Sequence, residues 1–281
     1  MVTCTMRTPV TAMVITRVNA EGNATADDIL VTEEPLEIRL GHGPLDDRQE
    51  FRMSVTMRTP GHDTELALGF LYTEGIIEAC DQVLRVAHCQ QVKPEEYGNV
   101  VRAELHPDIP VDPARWQRHF YTTSSCGVCG KSSLEAVEVR CPGPIKPWGR
   151  IDTALSIQLP ERMRAAQTVF AHTGGIHAAA LFDRKGSLVL LREDVGRHNA
   201  VDKVIGAAIG MSLDPTEHQL LVSGRAGFEL VQKCVVAGIP LMAAVGAPSS
   251  IAVDLARRTG LTLIGFLRGD RFNIYAPADK S

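Results

Sequence analysis

Residues 219–245, QLLVSGRAGFELVQKCVVAGIPLMAAV, contain one strand–helix–strand unit and decide the fold class of the chain. The apolar run 219–222 ends in a polar turn, a helical pattern covers 227–236, and a second apolar run covers 240–245. Short apolar strands that alternate with helices of this length are typical of a parallel sheet with helices packed on its faces. The segment therefore predicts an α/β domain.

The same alternation continues on both sides of this segment. Upstream, two apolar strands flank the turn Asp183-Arg184-Lys185-Gly186, which is a hairpin signature. The predicted order is a helix at 160–171, strands at 176–182 and 187–191, a helix at 198–209, strand 219–222, helix 227–236, strand 240–245, helix 249–258 and strand 261–266.

The first half of the chain has the pattern of a β-rich unit. Phe51, Met53, Val55 and Met57 alternate with polar residues, which predicts a half-buried strand with these four side chains facing inward. The other predicted elements of this half are a helix from Asp63 to Gly75 and strands at 83–89 and 99–105.

A proline-rich stretch at 141–147 separates the two halves and is the predicted linker. We therefore predict a mostly β N-terminal domain at 1–147, which ends in a cysteine-containing loop at 122–131 and the linker. The predicted α/β domain covers 148–281. The predicted fold class is α/β, or α+β when the chain is taken as a whole.

The composition excludes several classes of protein. The net charge of −4 indicates no general affinity for nucleic acid or for a membrane surface. No apolar run reaches the ~18 residues that span a bilayer, and Met1 to Glu21 lacks a signal-peptide core, so we expect a cytoplasmic protein. The seven cysteines, an odd number, indicate free thiols rather than a disulfide framework.

The loop 122–131, TTSSCGVCGK, is the first candidate for chemistry. Its two thiols, Cys126 and Cys129, can share a metal ion, form a small disulfide or pass a sulfur atom between them, and the flanking glycines give the backbone freedom to present them. The remaining cysteines form no second CxxC, so a zinc ribbon within one chain is not expected. Two copies could still share a metal across a dimer axis.

Polar residues recur where the strands of the second domain end. The polar stretch 193–203 precedes a helix, and further polar turns lie at 223–225, 246–250 and 266–271. Ligands of open parallel sheets bind beyond the carboxyl ends of the strands, where helix N-termini attract anions. We therefore predict a site for a nucleotide-sized anionic ligand, with arginines as phosphate contacts. The predicted binding residues are Phe266, Leu267, Arg268, Gly269, Asp270, Arg271, Arg225, His198 and Ser223.

Two further histidines are interpreted as structural. His177 opens an apolar strand, and a lone histidine in such a place is more often a hydrogen-bonded structural residue than a ligand. His172 is interpreted as a cation at the C-terminal end of a helix, where it interacts favourably with the helix dipole.

These motifs together resemble the formate dehydrogenase accessory sulfurtransferase family, FdhD, from about residue 30 to the end of the chain. The motif at 193–203 is specific, whereas a CxxC alone would not be. The resemblance rests on SSCGVCG at 124–130, GGIH at 174–177, EDVGRHNAVDK at 193–203, SGR at 223–225 with Phe228-Glu229, and GF at 265–266 with Asn273-Ile274-Tyr275.

The resemblance implies a sulfurtransferase that takes persulfide sulfur from a cysteine desulfurase. Its bound substrate would be the molybdenum bis(molybdopterin guanine dinucleotide) cofactor, which then enters apo-formate dehydrogenase. GDP would mimic one half of that cofactor, no tightly bound metal is implied, and a homodimer is implied. Cys126 would carry the persulfide and Cys129 would assist or resolve it, although proximity to Lys131 and to a helix start favours Cys129 as the more acidic thiol.

The second domain of that family is similar in fold to cytidine deaminases, a three-layer αβα arrangement. Zinc deaminases carry His-x-Glu at the start of one helix and Pro-Cys-x-x-Cys at the start of the next. This chain has His198-Asn199-Ala200 and Ser223-Gly224-Arg225-Ala226 at those places, without the glutamate and the two cysteines. The resemblance therefore implies the deaminase fold but not deamination.

Two alternatives to the sulfurtransferase stay open. One is a non-catalytic chaperone that binds the guanine dinucleotide cofactor and docks to the apo-dehydrogenase. The other is a structural dimer that is bridged by metal between two CxxC loops. The glycine-flanked dithiol favours the sulfurtransferase. Delivery of its sulfur requires that loop 122–133 move over the strand ends. We therefore expect that loop to have low local stability.

Overall fold

A computed structural model describes residues 7–111 and 145–277 of the chain. The first of these parts contains a two-stranded ribbon, a four-stranded sheet and one helix that covers a face of the sheet. The ribbon is formed by β1 (Val10–Asn19) and β2 (Gly22–Val31). The sheet is formed by β3 (Glu34–His42), β4 (Gln49–Arg58), β5 (Val83–His88) and β6 (Val100–Leu105), in the order β4-β3-β6-β5, and the helix is α1 (Asp63–Thr73).

The predicted alternation along β4 is correct for Phe51 and Met53 and wrong for Val55 and Met57. Phe51 is partly buried and Met53 is buried, but Val55 and Met57 are 55% and 48% exposed. The register of β4 against β3 shifts at Met53, and such a β-bulge moves the following side chains to the opposite face. Arg58, a polar residue in the pattern, is fully buried as a result.

The second part contains a six-stranded sheet with the spatial order β12-β11-β10-β9-β7-β8. β9, β10 and β11 are parallel as predicted, and β7 and β8 form the predicted antiparallel hairpin. The sheet is mixed, because β7 also pairs antiparallel with β9, and β12 pairs antiparallel with β11. The sequence pattern did not predict β12. The strands are β7 (His177–Asp183), β8 (Leu188–Asp194), β9 (His218–Val222), β10 (Leu241–Ala244), β11 (Thr262–Arg268) and β12 (Arg271–Ala276).

Helices cover both faces of this sheet, which confirms the three-layer αβα arrangement. Leu220 of β9 packs against the helices of one face, whereas its neighbour Leu221 packs with Leu159 and Trp148 on the other. The helices are α2 (Thr153–Ser156), α3 (Leu159–Ala166) and α4 (Thr168–Thr173), followed by α5 (Arg197–Gly210), α6 (Phe228–Val236) and α7 (Ser250–Thr259). The first face carries α5, α6 and α7, and α3 lies on the second.

Two boundaries differ from the sequence pattern. The helix predicted at 160–171 is two helices, because the backbone of Gln167 is extended between α3 and α4. Ile145, within the predicted linker, packs in the core beneath α7, and its N–H donates to the carbonyl of Thr259 at 3.0 Å. The packed part of the second domain therefore includes the end of the predicted linker.

The two parts meet where α1 packs against α5. A Cβ on Gly206 would overlap the carbonyl of Glu65, and a Cβ on Gly69 would overlap the carbonyl of Asp202. Both positions require glycine because the two helices touch backbone to backbone. We call this contact, formed by α1 and the end of β4 against α5 and α6, the junction.

Candidate functional site

Four turns of the second domain lie along one edge of the six-stranded sheet. We define this strand-end rim as residues 196–198, 223–225, 246–249 and 266–271. The backbone joins the last three turns, since Gly246 N–H donates to the Gly224 carbonyl and Phe266 N–H donates to the Gly246 carbonyl, each at 3.0 Å. The structure therefore brings the predicted binding segments together on one surface.

Phe266 has an unusual backbone on this rim. Its φ is +53°, and a positive φ at a bulky residue is strained and found preferentially at functional sites. Its partly buried ring lies 5.7 Å from the Arg268 guanidinium carbon, in cation–π contact. Leu267, which we also predicted to bind ligand, has its side chain fully buried in the core.

Residues 268–271 form a hairpin turn between β11 and β12 rather than a loop after a final strand. Arg268 pairs with Arg271 across the hairpin, Gly269 has a φ of +60°, and Asp270 is exposed. Both arginines are exposed, and neither makes an ion pair with any residue that the structure describes. The turn thus presents two cations that are available to an anionic ligand.

Two other predicted residues, Ser223 and Arg225, lie on the turn after β9 and have different surroundings. Ser223 is tied to β7, because its hydroxyl accepts from the Ala178 N–H at 2.9 Å and its own N–H donates to the Ala178 carbonyl at 3.0 Å. Arg225 is exposed and makes no ion pair within 7–111 or 145–277. Ser223 therefore positions the turn, and Arg225 is free to contact a ligand.

His198 lies in the first turn of α5 and is paired with Glu229 of α6. Its Nε2 is 2.8 Å from a Glu229 carboxylate oxygen. Because a carboxylate accepts hydrogen bonds, Nε2 carries the proton, and Nδ1 of the neutral ring is left as an acceptor. The pair joins the start of α5 to the start of α6. The described residues contain no group of three or more His, Cys, Asp and Glu side chains that could hold a metal ion.

His177, interpreted as structural from its sequence, also lies at the rim. It begins β7, and a Cβ added to Gly224 would lie 3.5 Å from its Nδ1. Burial lowers the pKa of His177, and the nearby charge of Arg197 lowers it further. No local sequence pattern predicts this placement, because β7 reaches the rim only through its antiparallel pairing with β9.

Much of the polar stretch 193–203 faces the junction instead of the rim. Asp194 and Lys203 form an ion pair at 2.7 Å, and neither side chain is more than 1% exposed. Lys203 also donates to the Thr59 carbonyl at 2.8 Å, and the Asn199 amide donates to the Met57 carbonyl at 2.7 Å. These contacts hold the β8–α5 turn, and with it His198, against the end of β4.

A second buried ion pair joins α5 to α6 at the junction and is contacted by α1. Asp202 lies 2.9 Å from the Lys233 ammonium and accepts from the Thr73 hydroxyl at 2.8 Å. Burial lowers the pKa of Lys233, but the charges of Asp202 and Glu74 outweigh it, so that the pKa is raised and the ammonium stays protonated. Nothing local in the sequence marks Thr73 and Lys233 as partners of Asp202, so neither residue was predicted.

Glu193, the first residue of the same stretch, has a separate structural role. Its carboxylate accepts from the backbone N–H groups of Val169 and Phe170 at 2.9 and 2.8 Å, at the start of α4. Of the whole stretch, only residues 196–198 contribute to the rim. The stretch is therefore mainly a structural network that positions one edge of the site.

The predicted catalytic thiols Cys126 and Cys129, and the whole loop 122–133, lie outside the described residues. Cys80, Cys89 and Cys234 are free thiols in the part of the chain that the structure describes. Within that part, no helix is long and apolar enough to cross a membrane.

A family model and individual known proteins both match most of this chain. The model of the FdhD/NarQ family matches residues 31–281. The chain is 49% identical over 271 residues to the sulfur carrier protein FdhD of Streptomyces coelicolor, covering 95% of this chain and 93% of that protein. It is 47% identical over 275 residues to the sulfur carrier protein FdhD of Mycobacterium tuberculosis, covering 95% and 96%.

A solved structure has a similar fold. It is described as a "putative formate dehydrogenase accessory protein" from Desulfotalea psychrophila. The TM-score is 0.72 at 22% sequence identity, and the match covers 95% of this chain and 97% of the other.

Proposed function

The chain belongs to the FdhD/NarQ family, and on that premise we propose that it is a sulfurtransferase of formate dehydrogenase maturation. It takes persulfide sulfur from a cysteine desulfurase and transfers it to the molybdenum bis(molybdopterin guanine dinucleotide) cofactor, which is its bound substrate. The sulfurated cofactor then passes to apo-formate dehydrogenase. Its place of action is the cytoplasm.

The strand-end rim is the observation that carries this proposal. Phe266, held at a positive φ, offers an aromatic face on which a purine base stacks. Arg268 and Arg271 offer two cations without ion-pair partners among the described residues, and these suit the diphosphate of a guanine nucleotide. An aromatic face beside two such cations matches a nucleoside diphosphate better than a simple anion.

The other rim residues have supporting roles in the proposed complex. The N-termini of α5, α6 and α7 meet at the rim and direct backbone N–H groups toward bound phosphate. Arg225 adds a third cation, and the free Nδ1 of His198 accepts a hydrogen bond from the ligand while Glu229 fixes its ring. GDP reproduces the base, ribose and diphosphate of one half of the cofactor and is the probe for this site.

The sulfur step needs two electrons, because the outer sulfur of a persulfide is more oxidised than sulfide. We assign the persulfide to Cys126 and the second thiol to Cys129. Attack of the Cys129 thiolate on the inner sulfur breaks the S–S bond, releases hydrosulfide and forms a Cys126–Cys129 disulfide. The two thiol sulfurs supply the electrons, and an oxo ligand of the cofactor leaves as water when sulfide replaces it.

The proposed homodimer has a candidate surface in the β1–β2 ribbon. No third strand pairs with the ribbon among the described residues, and a lone two-stranded hairpin is only marginally stable in water. Apolar side chains of the ribbon that remain exposed are Met13, Val14, Val18, Ile29 and Leu30. A second copy of the chain would cover this apolar surface.

Intact-mass analysis after incubation with a cysteine desulfurase and cysteine tests the proposal. We expect a mass gain of one sulfur atom in the wild type and in Cys129→Ala, and none in Cys126→Ala. Loading that survives unchanged in Cys126→Ala overturns the assignment to that thiol. Absence of loading in all three, together with retained GDP binding, would identify a non-catalytic cofactor chaperone instead. A metal assay on the purified protein distinguishes a metal-bridged dimer from the sulfurtransferase and from the chaperone.

A further inference from the structure

A cavity of about 420 Å³ opens on the edge of the six-stranded sheet opposite the strand-end rim. It lies at the amino-terminal ends of β9 and β10, and both parts of the molecule line it. Tyr72 of α1 and residues 78–81 come from the first part, and the C-terminal ends of α5 and α6 come from the second. Its volume is in the range of small-molecule sites in proteins.

The floor of the cavity is apolar. The side chains that form it belong to β7, to α5 and its C-terminal extension, and to the segment before β10. They are Leu181, Ile205, Ile209, Leu213 and Ile239. An occupant of this floor therefore needs an apolar body to gain from burial.

The polar groups at the mouth are mainly hydrogen-bond acceptors. Glu78 and Asp81 place two carboxylates there. His218 Nδ1 lies 2.6 Å from the Asp214 carbonyl, which can only accept, so that Nδ1 carries the proton and Nε2 of the neutral ring is an acceptor. Tyr72 is partly buried, and its hydroxyl makes no hydrogen bond with the described residues.

The charged side chains that line the cavity are all carboxylates. No lysine or arginine is among the described residues that line it. The C-terminal ends of α5 and α6, which carry the partial negative charge of the helix dipole, also point toward it. This surface favours a donor-rich, positively charged head group above an apolar body.

We infer that this cavity binds an amphipathic organic cation, namely a primary amine or guanidinium attached to a compact apolar group. The apolar body occupies the floor beneath α5, and the head group donates to Asp81, Glu78 and Tyr72 at the mouth. The site is remote from the rim, so this binding is separate from the binding of a nucleotide. Because the cavity is lined by both parts of the molecule, its ligand stabilises the junction.

Isothermal calorimetry with phenethylamine tests the inference, with 2-phenylethanol as the neutral analogue and 3-phenylpropionate as the anionic one. The full-length wild type is expected to bind the amine about tenfold more tightly than the alcohol, because charge-assisted hydrogen bonds exceed neutral ones. The anion is expected not to bind. Equal affinity for the amine and the alcohol, or binding of the anion, overturns the inference.

Two kinds of variant locate the site. Glu78→Gln with Asp81→Asn is expected to lower amine affinity to that of the alcohol, whereas the exposed control Glu161→Gln with Asp254→Asn leaves it unchanged. Ala208→Trp fills the cavity and is expected to abolish binding of both. If circular dichroism shows that Ala208→Trp does not fold, the site is tested by the comparison between the Glu78/Asp81 variant and the Glu161/Asp254 control. Unchanged amine binding in the Glu78/Asp81 variant refutes the site.

Cys80 gives an independent readout, because this free cysteine is one of the residues that line the cavity. Saturating phenethylamine is expected to slow the alkylation of Cys80 by iodoacetamide severalfold, as followed by peptide mass mapping. Alkylation of Cys89, which lies outside the cavity, serves as the internal control. An equal effect of the amine on both cysteines contradicts binding at this place.

Discussion

The junction and the strand-end rim are both rich in charged residues, but they use charge in opposite ways. At the junction, Lys203 and Asp194 are almost fully buried and paired with each other. On the rim, Arg268 and Arg271 are exposed and have no ion-pair partner within the described parts of the chain. The difference shows that burial and pairing distinguish a charge that holds the fold from a charge that is available to a ligand.

Removal of one buried partner should give the largest effect on stability. Lys203→Met leaves the Asp194 carboxylate buried without its cation, and we expect a loss of about 3–5 kcal/mol in the free energy of unfolding. Urea denaturation measures this loss. Adding Asp194→Asn, which removes the orphaned charge, should recover a large part of it. A loss below about 1 kcal/mol in Lys203→Met would show that this pair contributes no more to stability than an ordinary surface ion pair.

Charge reversal on the rim should change binding and leave stability intact. Arg268→Glu with Arg271→Glu is expected to lower GDP affinity about 30-fold or more, since each arginine can give a charge-assisted hydrogen bond to phosphate. The free energy of unfolding should change by less than about 0.5 kcal/mol, because both side chains are exposed.

The charge-matched control for this pair is Arg17→Glu with Lys185→Glu, two exposed residues outside the rim. Calorimetry should show wild-type GDP affinity in the control. Equal loss of affinity in both double variants would indicate attraction by overall charge rather than a site at the rim.

Adding a methyl group where the two helices touch should show how much close packing, as distinct from charge, contributes to the stability of the junction. Gly206→Ala places its Cβ into the carbonyl of Glu65, so α1 and α5 must move apart, at a cost of about 1–3 kcal/mol in unfolding free energy. Gly210→Ala on the same helix meets only Leu68, at 3.8 Å, and should be neutral or slightly stabilising. Thermal unfolding of the two variants gives the comparison, and equal melting temperatures would contradict a backbone contact.

The smallest effect is a pH dependence of the junction. Burial raises the pKa of Glu65, but hydrogen bonds from Arg192 and His62 outweigh it and lower the pKa from 4.5 to about 2. A carboxyl group with a lowered folded-state pKa stabilises the fold fully above pH 4.5, and this stabilisation disappears as the pH falls from 4.5 through about 2.

Urea denaturation across that range should therefore show a steeper loss of stability in the wild type than in Glu65→Gln, by under about 2 kcal/mol in total. The exposed pair of Arg184 and Glu217 provides the control, and Glu217→Gln should follow the wild-type curve closely. Parallel curves for the wild type and Glu65→Gln would show that the Arg192 pair adds nothing.

The core of the second domain could be predicted because its pattern is local. β9, α6 and β10 lie at most one residue from the boundaries read in 219–245, since strands buried on both faces are continuous apolar runs. The ribbon strands β1 and β2 could not be predicted in the same way. Residues such as Val14 and Val18 remain exposed, so burial imposes no regular alternation on them.

The site was only partly predictable for a related reason. The topology of the sheet brings the turns after β9, β10 and β11 to one edge, and the sequence order is enough to predict this. The inward roles of Asp194, Asp202 and Lys203 depend on partners that are far away in sequence. His177 reaches the rim through an antiparallel pairing that local patterns do not specify.

The contact of Gly69 with Gly206 also has a consequence for synthesis on the ribosome. Roughly 140 residues separate the two glycines, and a growing chain at ~5–20 residues per second needs about 7–28 s to produce them. Throughout that interval the face of α1 that will receive α5, together with Thr59 and Thr73, lacks the partners that α5 and α6 supply. The nascent first half is thus a natural client for ribosome-associated chaperones until α5 has been translated.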